Sequence, residues 1–154
     1  MNWQHFFIRN IIISITGVAF TALKSASTSS DGVIRFENVL LNEGNGYNSA
    51  TGEFTAPTDG VYVFSWTILT KETEAIAADL YLGSSRKARL FADARGGTTS
   101  NSMDDSASNT IAIRLTRGQK VSIRVDSVWD NFVDGNNWSS FSGHRIFIYI
   151  TALK

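Results

Sequence analysis

The chain has 154 residues, enough for one domain with a substantial core; it is 43% hydrophobic, 18% charged and 12% aromatic. Its 14 basic residues balance 14 acidic ones, and a net charge of zero argues against a general binder of nucleic acid or anionic membranes. The absence of cysteine removes disulfides, thiolate zinc sites and thiol catalysis. Two histidines, His5 and His144, leave almost no material for a histidine metal site or a Ser-His-Asp triad, so catalysis is not expected.

Residues 1–17 (MNWQHFFIRNIIISITG) are apolar but broken by Arg9 and Asn10. A transmembrane helix needs roughly 20 uninterrupted apolar residues, so no membrane insertion is expected. The segment reads as a signal remnant or an extra strand, ahead of a domain over residues 18–154. From residue 18 the dominant period is two. Residues 18–23 form a first strand, the polar stretch 25–32 (SASTSSDG) a connection, and residues 33–36 a second strand. Residues 60–69 (GVYVFSWTIL) place Tyr62, Phe64, Trp66 and Ile68 on one face and Val61, Val63, Ser65 and Thr67 on the other.

Residues 72–80 (ETEAIAADL) contain helix formers but are short, and read as a turn entering a strand at 78–82. Another strand is expected at 87–93. Residues 109–117 alternate Ile111, Ile113 and Leu115 against Thr110, Ala112 and Arg114. Gly118-Gln119 then reads as a turn and residues 120–126 as a partner strand, making a hairpin. Two loops are long for a sandwich: 94–108, polar and glycine-rich, and 127–140, polar with two tryptophans. About ten short strands separated by Gly, Asn, Asp and Ser clusters predict an all-β antiparallel sandwich or barrel. The last strand, 141–149, turns apolar on both faces from Ile146, which calls for cover on both sides and points to an oligomer.

Between Phe36 and Trp66 the spacing is specific: Phe36, then Asn42, Tyr47, Phe54, Gly60, Tyr62, Phe64 and Trp66, running through YNSATGEFTAPTDGVYVFSW. This pattern resembles the signature of the complement C1q globular-head domain, within the C1q and tumour-necrosis-factor superfamily. Trp66 departs from it, standing where Phe or Tyr is usual. The likeness extends to VAFTA at 18–22, LTRGQKV at 115–121 and SFSG at 140–143. It implies a ten-stranded jelly roll, a homotrimer with the first and last strands near the three-fold axis, and a secreted, extracellular recognition module. Phe20, Tyr62, Phe64, Trp66, Phe147 and Tyr149 are then aromatics of the core or of the trimer interface. Relatives implied by the resemblance include lectin-like pattern-recognition proteins that bind glycans or microbial surfaces, and ligands that cluster a protein receptor.

Ligand contacts are sought in the loops. A sugar site needs an aromatic face and polar groups that orient hydroxyls. Trp129, Asp130 and Trp138 in the loop 127–140 supply these, with Arg95 added from the other long loop; Phe132 reads as a loop anchor. The family sometimes uses calcium, for which Asp93 with Asp104 and Asp105, or Asp130 with Asp134, are the candidate oxygen ligands. Arg86, Lys87, Arg89 and Arg95 form a basic group able to meet sialic acid or phosphate, or else a solvated strand face, with Lys87 and Arg89 on one side and Arg86 on the other. His144 in the closing strand reads as a satisfied or interface histidine, Gly96-Gly97 lacks the following Lys-Ser/Thr of a phosphate loop, and Asn137-Trp138-Ser139 is a glycosylation triplet.

Overall fold

The structure is a computed structural model. It describes residues 17–29, 32–96, 104–126 and 128–146. The strands follow in the order β1 (Ala19–Leu23), β2 (Thr28–Ser29), β3 (Asn38–Glu43), β4 (Tyr47–Asn48), β5 (Glu53–Thr55), β6 (Gly60–Thr70), β7 (Ala75–Leu82), β8 (Ser85–Ala88), β9 (Phe91–Asp93), β10 (Asp105–Leu115), β11 (Lys120–Val125), β12 (Phe132–Val133) and β13 (Ser140–Ile146). Ten of these thirteen are three residues or longer, and no helix occurs among the described residues. The all-β expectation holds.

Two antiparallel sheets face each other. One is five-stranded in the order β10-β6-β13-β1-β3; the other runs β4-β5-β11-β7-β8, with β9 also pairing to β7. A small ribbon of β12 and β2 closes one end. Alternation sets the faces: Tyr62, Phe64, Trp66 and Ile68 of β6 are buried, while the residues between them are half-buried. Opposite them, Val121 and Ile123 of β11 and Ile76, Ala78 and Leu80 of β7 complete the core. Phe20 lies at its centre, stacked on Tyr47 at 4.8 Å and on Phe54 at 5.1 Å, with Phe141 edge-on at 4.9 Å.

The recurring spacing from Phe36 to Trp66 has a hydrogen-bonding reason. The Asn42 side chain accepts from the Tyr47 backbone N–H at 3.0 Å and donates to its carbonyl at 2.9 Å, clamping the turn between β3 and β4. The Tyr47 hydroxyl in turn accepts from the Phe36 N–H and donates to the Phe36 carbonyl, both at 3.1 Å, so buried Phe36 needs no strand partner there. Burial holds the Tyr47 phenol up at about 12, keeping the donor protonated. Trp66 satisfies its indole by donating to the Ala78 carbonyl at 2.8 Å across the two sheets.

Several expectations need correction. The hairpin expected around Gly118-Gln119 does not form. Gln119 N–H does close a turn on the Thr116 carbonyl at 3.1 Å, but β10 pairs with β6 while β11 pairs with β5 and β7. The turn is a corner between sheets, because each strand finds its partners far away in sequence. Residues 33–36 are extended but join the sheet only through a bridge from Val33 to Arg124. The strand expected at 87–93 is two strands, β8 and β9, broken at Arg89-Leu90. β7 begins at Ala75 rather than residue 78, and Ala75–Leu80 is buried on both faces, which hid its period of two. Phe20, Tyr62, Phe64 and Trp66 lie between the sheets of a single chain, so their role is core packing. Phe147, Tyr149 and the extension at 1–16 lie outside the described residues.

Candidate functional site

The segments 70–75 and 89–95 meet Asp126 and residues 128–130 at one end of the sandwich. Ala75 N–H donates to Asp130 Oδ2 at 2.9 Å, Ala94 N–H donates to the Glu74 carbonyl while its own carbonyl accepts from Thr73 N–H, and Asp126 N–H donates to the Ala77 carbonyl. These contacts tie Asp126 and Asp130 to the backbone of β7, and Trp129 between them shares the lining of one cleft with Ala77 on the outer face of this doubly buried strand.

A cleft of 430 Å³ opens there, lined by Ala77, Arg89, Leu90, Phe91, Arg95 and Trp129. Phe91 is 44% exposed and Trp129 38% exposed, although they touch edge-to-face at 4.8 Å. Two large aromatics left this open form a platform for a flat apolar surface. The Arg95 guanidinium lies 5.1 Å from the centre of the Trp129 ring and is fixed by a bidentate pair with Asp93, Nε to Oδ1 at 2.8 Å and Nη2 to Oδ2 at 2.7 Å. The Arg95 hydrogen bonds hold the Asp93 carboxyl down at about 2, and Asp93, with Asp130 nearby, raises Arg95 further.

On the other wall, Arg89 donates from Nε to Asp79 Oδ2 at 3.2 Å and from Nη2 to Asp126 Oδ2 at 2.8 Å. Arg86 reaches the same two carboxylates, and Asp79 is fully buried. Strand alternation therefore misplaced this basic group: the register shift at Lys87, where Tyr81 pairs with Arg86 and Leu80 with Ala88, brings Arg86 and Arg89 to the same two carboxylates.

Of the residues expected to bind ligand, the structure brings together Arg95, Trp129 and Asp130. Trp138 stands apart. It is 67% exposed in a turn held by Asn137 N–H to the Lys24 carbonyl and by Asn38 Nδ2 donating to Asn137 Oδ1 at 3.0 Å. That places it by β3, at the opposite edge of the five-stranded sheet from β10, which β9 borders. Phe91, Leu90 and Ala77 were not expected in the site. Their signal in the sequence was an aromatic within a basic strand, but only the break after β8 turns it outward.

The carboxylates expected to hold calcium are engaged otherwise. Asp105 Oδ2 accepts from Asp93 N–H at 2.8 Å, Asp104 Oδ1 accepts from Glu72 N–H at 3.1 Å, and Asp93 clasps Arg95. Asp130 caps Ala75 and Asp134 accepts from the Ser27 hydroxyl. Among the described residues no three acidic, histidine or cysteine side chains gather into a metal site.

Comparison with known proteins agrees with this architecture. The family model of the C1q domain matches residues 19–146. The globular domain of zebrafish complement 1qA protein superposes with a TM-score of 0.67 at 20% identity, covering 86% of this chain and 99% of that one. Eiger TNF from S. frugiperda gives 0.68 at 13% identity, covering 91% and 99%. Murine APRIL at pH 5.0 gives 0.60 at 11% identity, covering 84% and 99%. With its hydrogen-bonded spacing from Phe36 to Trp66, its paired sheets and a match over all the described strands, the chain belongs to the C1q domain family.

Proposed function

We propose that this protein is a secreted, non-catalytic recognition module that assembles as a homotrimer and binds glycans or microbial surface molecules through the cleft at Trp129. The observation that carries the reading is the pair of half-exposed aromatics, Phe91 and Trp129, beside fixed arginine–aspartate pairs. Sugar rings present a C–H face to aromatics and hydroxyls to such pairs. C1q-domain proteins are typically trimeric and extracellular, and no helix among the described residues is long and apolar enough to cross a membrane. The outer face of the five-stranded sheet supports assembly: Thr21, Val63, Ser65, Thr67, Thr110 and Ser142 form an uncharged stripe there, flanked by Arg114, His144 and Glu43, and Ser65–Thr110 and Thr67–Ser108 bond across the strands at 2.8 and 2.7 Å. Three weak identical sites then act together on a multivalent surface.

The test is binding of the purified protein to an array of glycans and bacterial envelope components, with calcium and with chelator. Selective binding that Trp129→Ala abolishes is the expected result; calcium binding is expected to contribute nothing at the cleft itself. A second reading, clustering of a protein receptor, is favoured by Val39, Leu40 and Leu41, which are exposed in succession on β3. An array without binding, together with a partner captured by wild type and lost on Leu40→Asp, would select it.

A further inference from the structure

From the charge arrangement of the cleft we infer that it selects uncharged pyranose sugars over sialylated or phosphorylated ones; this rests on the glycan reading above. Two guanidiniums line the cleft, and neither is available as a free cation. Arg95 gives Nε and Nη2 to both oxygens of Asp93, and Arg89 gives Nε and Nη2 to Asp79 and Asp126. Arg86 adds one positive charge behind Arg89, pairing with the same two aspartates, and Asp130 lies within electrostatic reach of Arg95. Around the cleft, three arginines thus pair with three aspartates, Asp79, Asp93 and Asp126, and Asp130, which accepts from Ala75 N–H, adds a fourth carboxylate nearby.

An incoming carboxylate or phosphate has two ways to bind an arginine here. It can displace an aspartate from a bidentate pair, or share the arginine with that aspartate and be repelled by it. Asp79 is fully buried and cannot swing out to water, so displacing it from its arginines would strand a buried charge. A neutral hydroxyl meets neither obstacle. The unused N–H groups of Arg95 donate to it, the remaining carboxylate lone pairs accept from it, and a sugar hydroxyl does both at once. The apolar floor of Ala77, Leu90, Phe91 and Trp129 takes the C–H face of the ring.

The experiment compares the full-length protein on immobilised lactose and sialyllactose, and on mannan before and after enzymatic phosphorylation. Expected are binding to at least one of the neutral sugars, no gain on adding the anionic group, and little change between about 0.05 M and about 0.5 M NaCl, since no net ion pair forms. Trp129→Ala abolishes this binding. Asp93→Asn frees Arg95 and raises binding of the anionic partner about tenfold, the value of one charge-assisted pair, while circular dichroism checks that the variant is folded. Binding that depends on Trp129 but requires the sialic acid or phosphate, and fades with salt, overturns the selectivity and leaves the glycan reading intact. No binding to any of the four surfaces, with wild type and Trp129→Ala alike, overturns both.

Discussion

Lys24 is the one buried lysine among the described residues, and it survives burial because Glu37 meets it at 2.6 Å. Burial works against the Glu37 charge, but hydrogen bonds from Lys24 and from the Ser25 backbone outweigh it and leave its carboxyl below the usual range. A lowered carboxylate stabilises the fold above the ordinary glutamate value of 4.5 and loses that contribution as pH falls through its folded value. Glu37→Gln should therefore cost about 1–3 kcal/mol at neutral pH, discounted because Glu37 is itself exposed. Urea titrations should show the difference from wild type shrinking as the solution is acidified below the normal glutamate range. Gly143 sets a second residue-scale test. A Cβ there would lie 2.5 Å from Phe64 and 2.8 Å from Phe20, two rings fixed in the aromatic core. Gly143→Ala should cost more than about 2 kcal/mol in the same assay, since neither ring can retreat without disturbing its stack.

At the scale of elements, the sequence was legible wherever a strand had one buried and one open face. β6 shows its core residues directly, and the outward and inward sides of β10 follow from Ile111 and Ile113. Legibility ended where partners mattered. The alternating runs on either side of Gly118 are compatible with a hairpin or with a corner, and the choice rests on whether β6 and β7 outcompete the local pairing. A synthetic peptide of residues 105–125 should accordingly show no cross-strand NMR contacts in water, since it lacks both true partners. The candidate site was half visible for the same reason. Trp129 and Arg95 stand out as an aromatic and a cation in long polar loops, but their neighbours Phe91 and Asp93 are delivered by β9, whose separation from β8 has no strong sequence mark.

At the scale of the whole molecule, the two sheet edges are unequal. β8 and β9 carry charged side chains, whereas β3 exposes Leu40 at 62% between Val39 and Leu41 and pairs only with β1 among the described strands. An edge of this kind needs cover by a partner, while the uncharged stripe of Thr21, Ser142, Ser65 and Thr110 on the outer face of the same sheet is suited to a second copy of the chain. Light scattering at micromolar concentration should give the mass of three chains, and the mass of one would rule the homotrimer out.

The corner at Thr116–Gln119 also bears on how the chain reaches this state. With β10 waiting for β6 and β13 closing between β6 and β1, most of the five-stranded sheet assembles from segments distant in sequence. Little of the molecule is available as an early local nucleus beyond β7–β8 and β4–β5, each closed by a short turn. Loop-closure entropy must be overcome before those long-range pairings stabilise anything, so refolding is expected on the scale of about milliseconds to seconds. During that interval the alternating faces of β6 and β10 stand unpaired, and recovery from denaturant should fall as protein concentration rises.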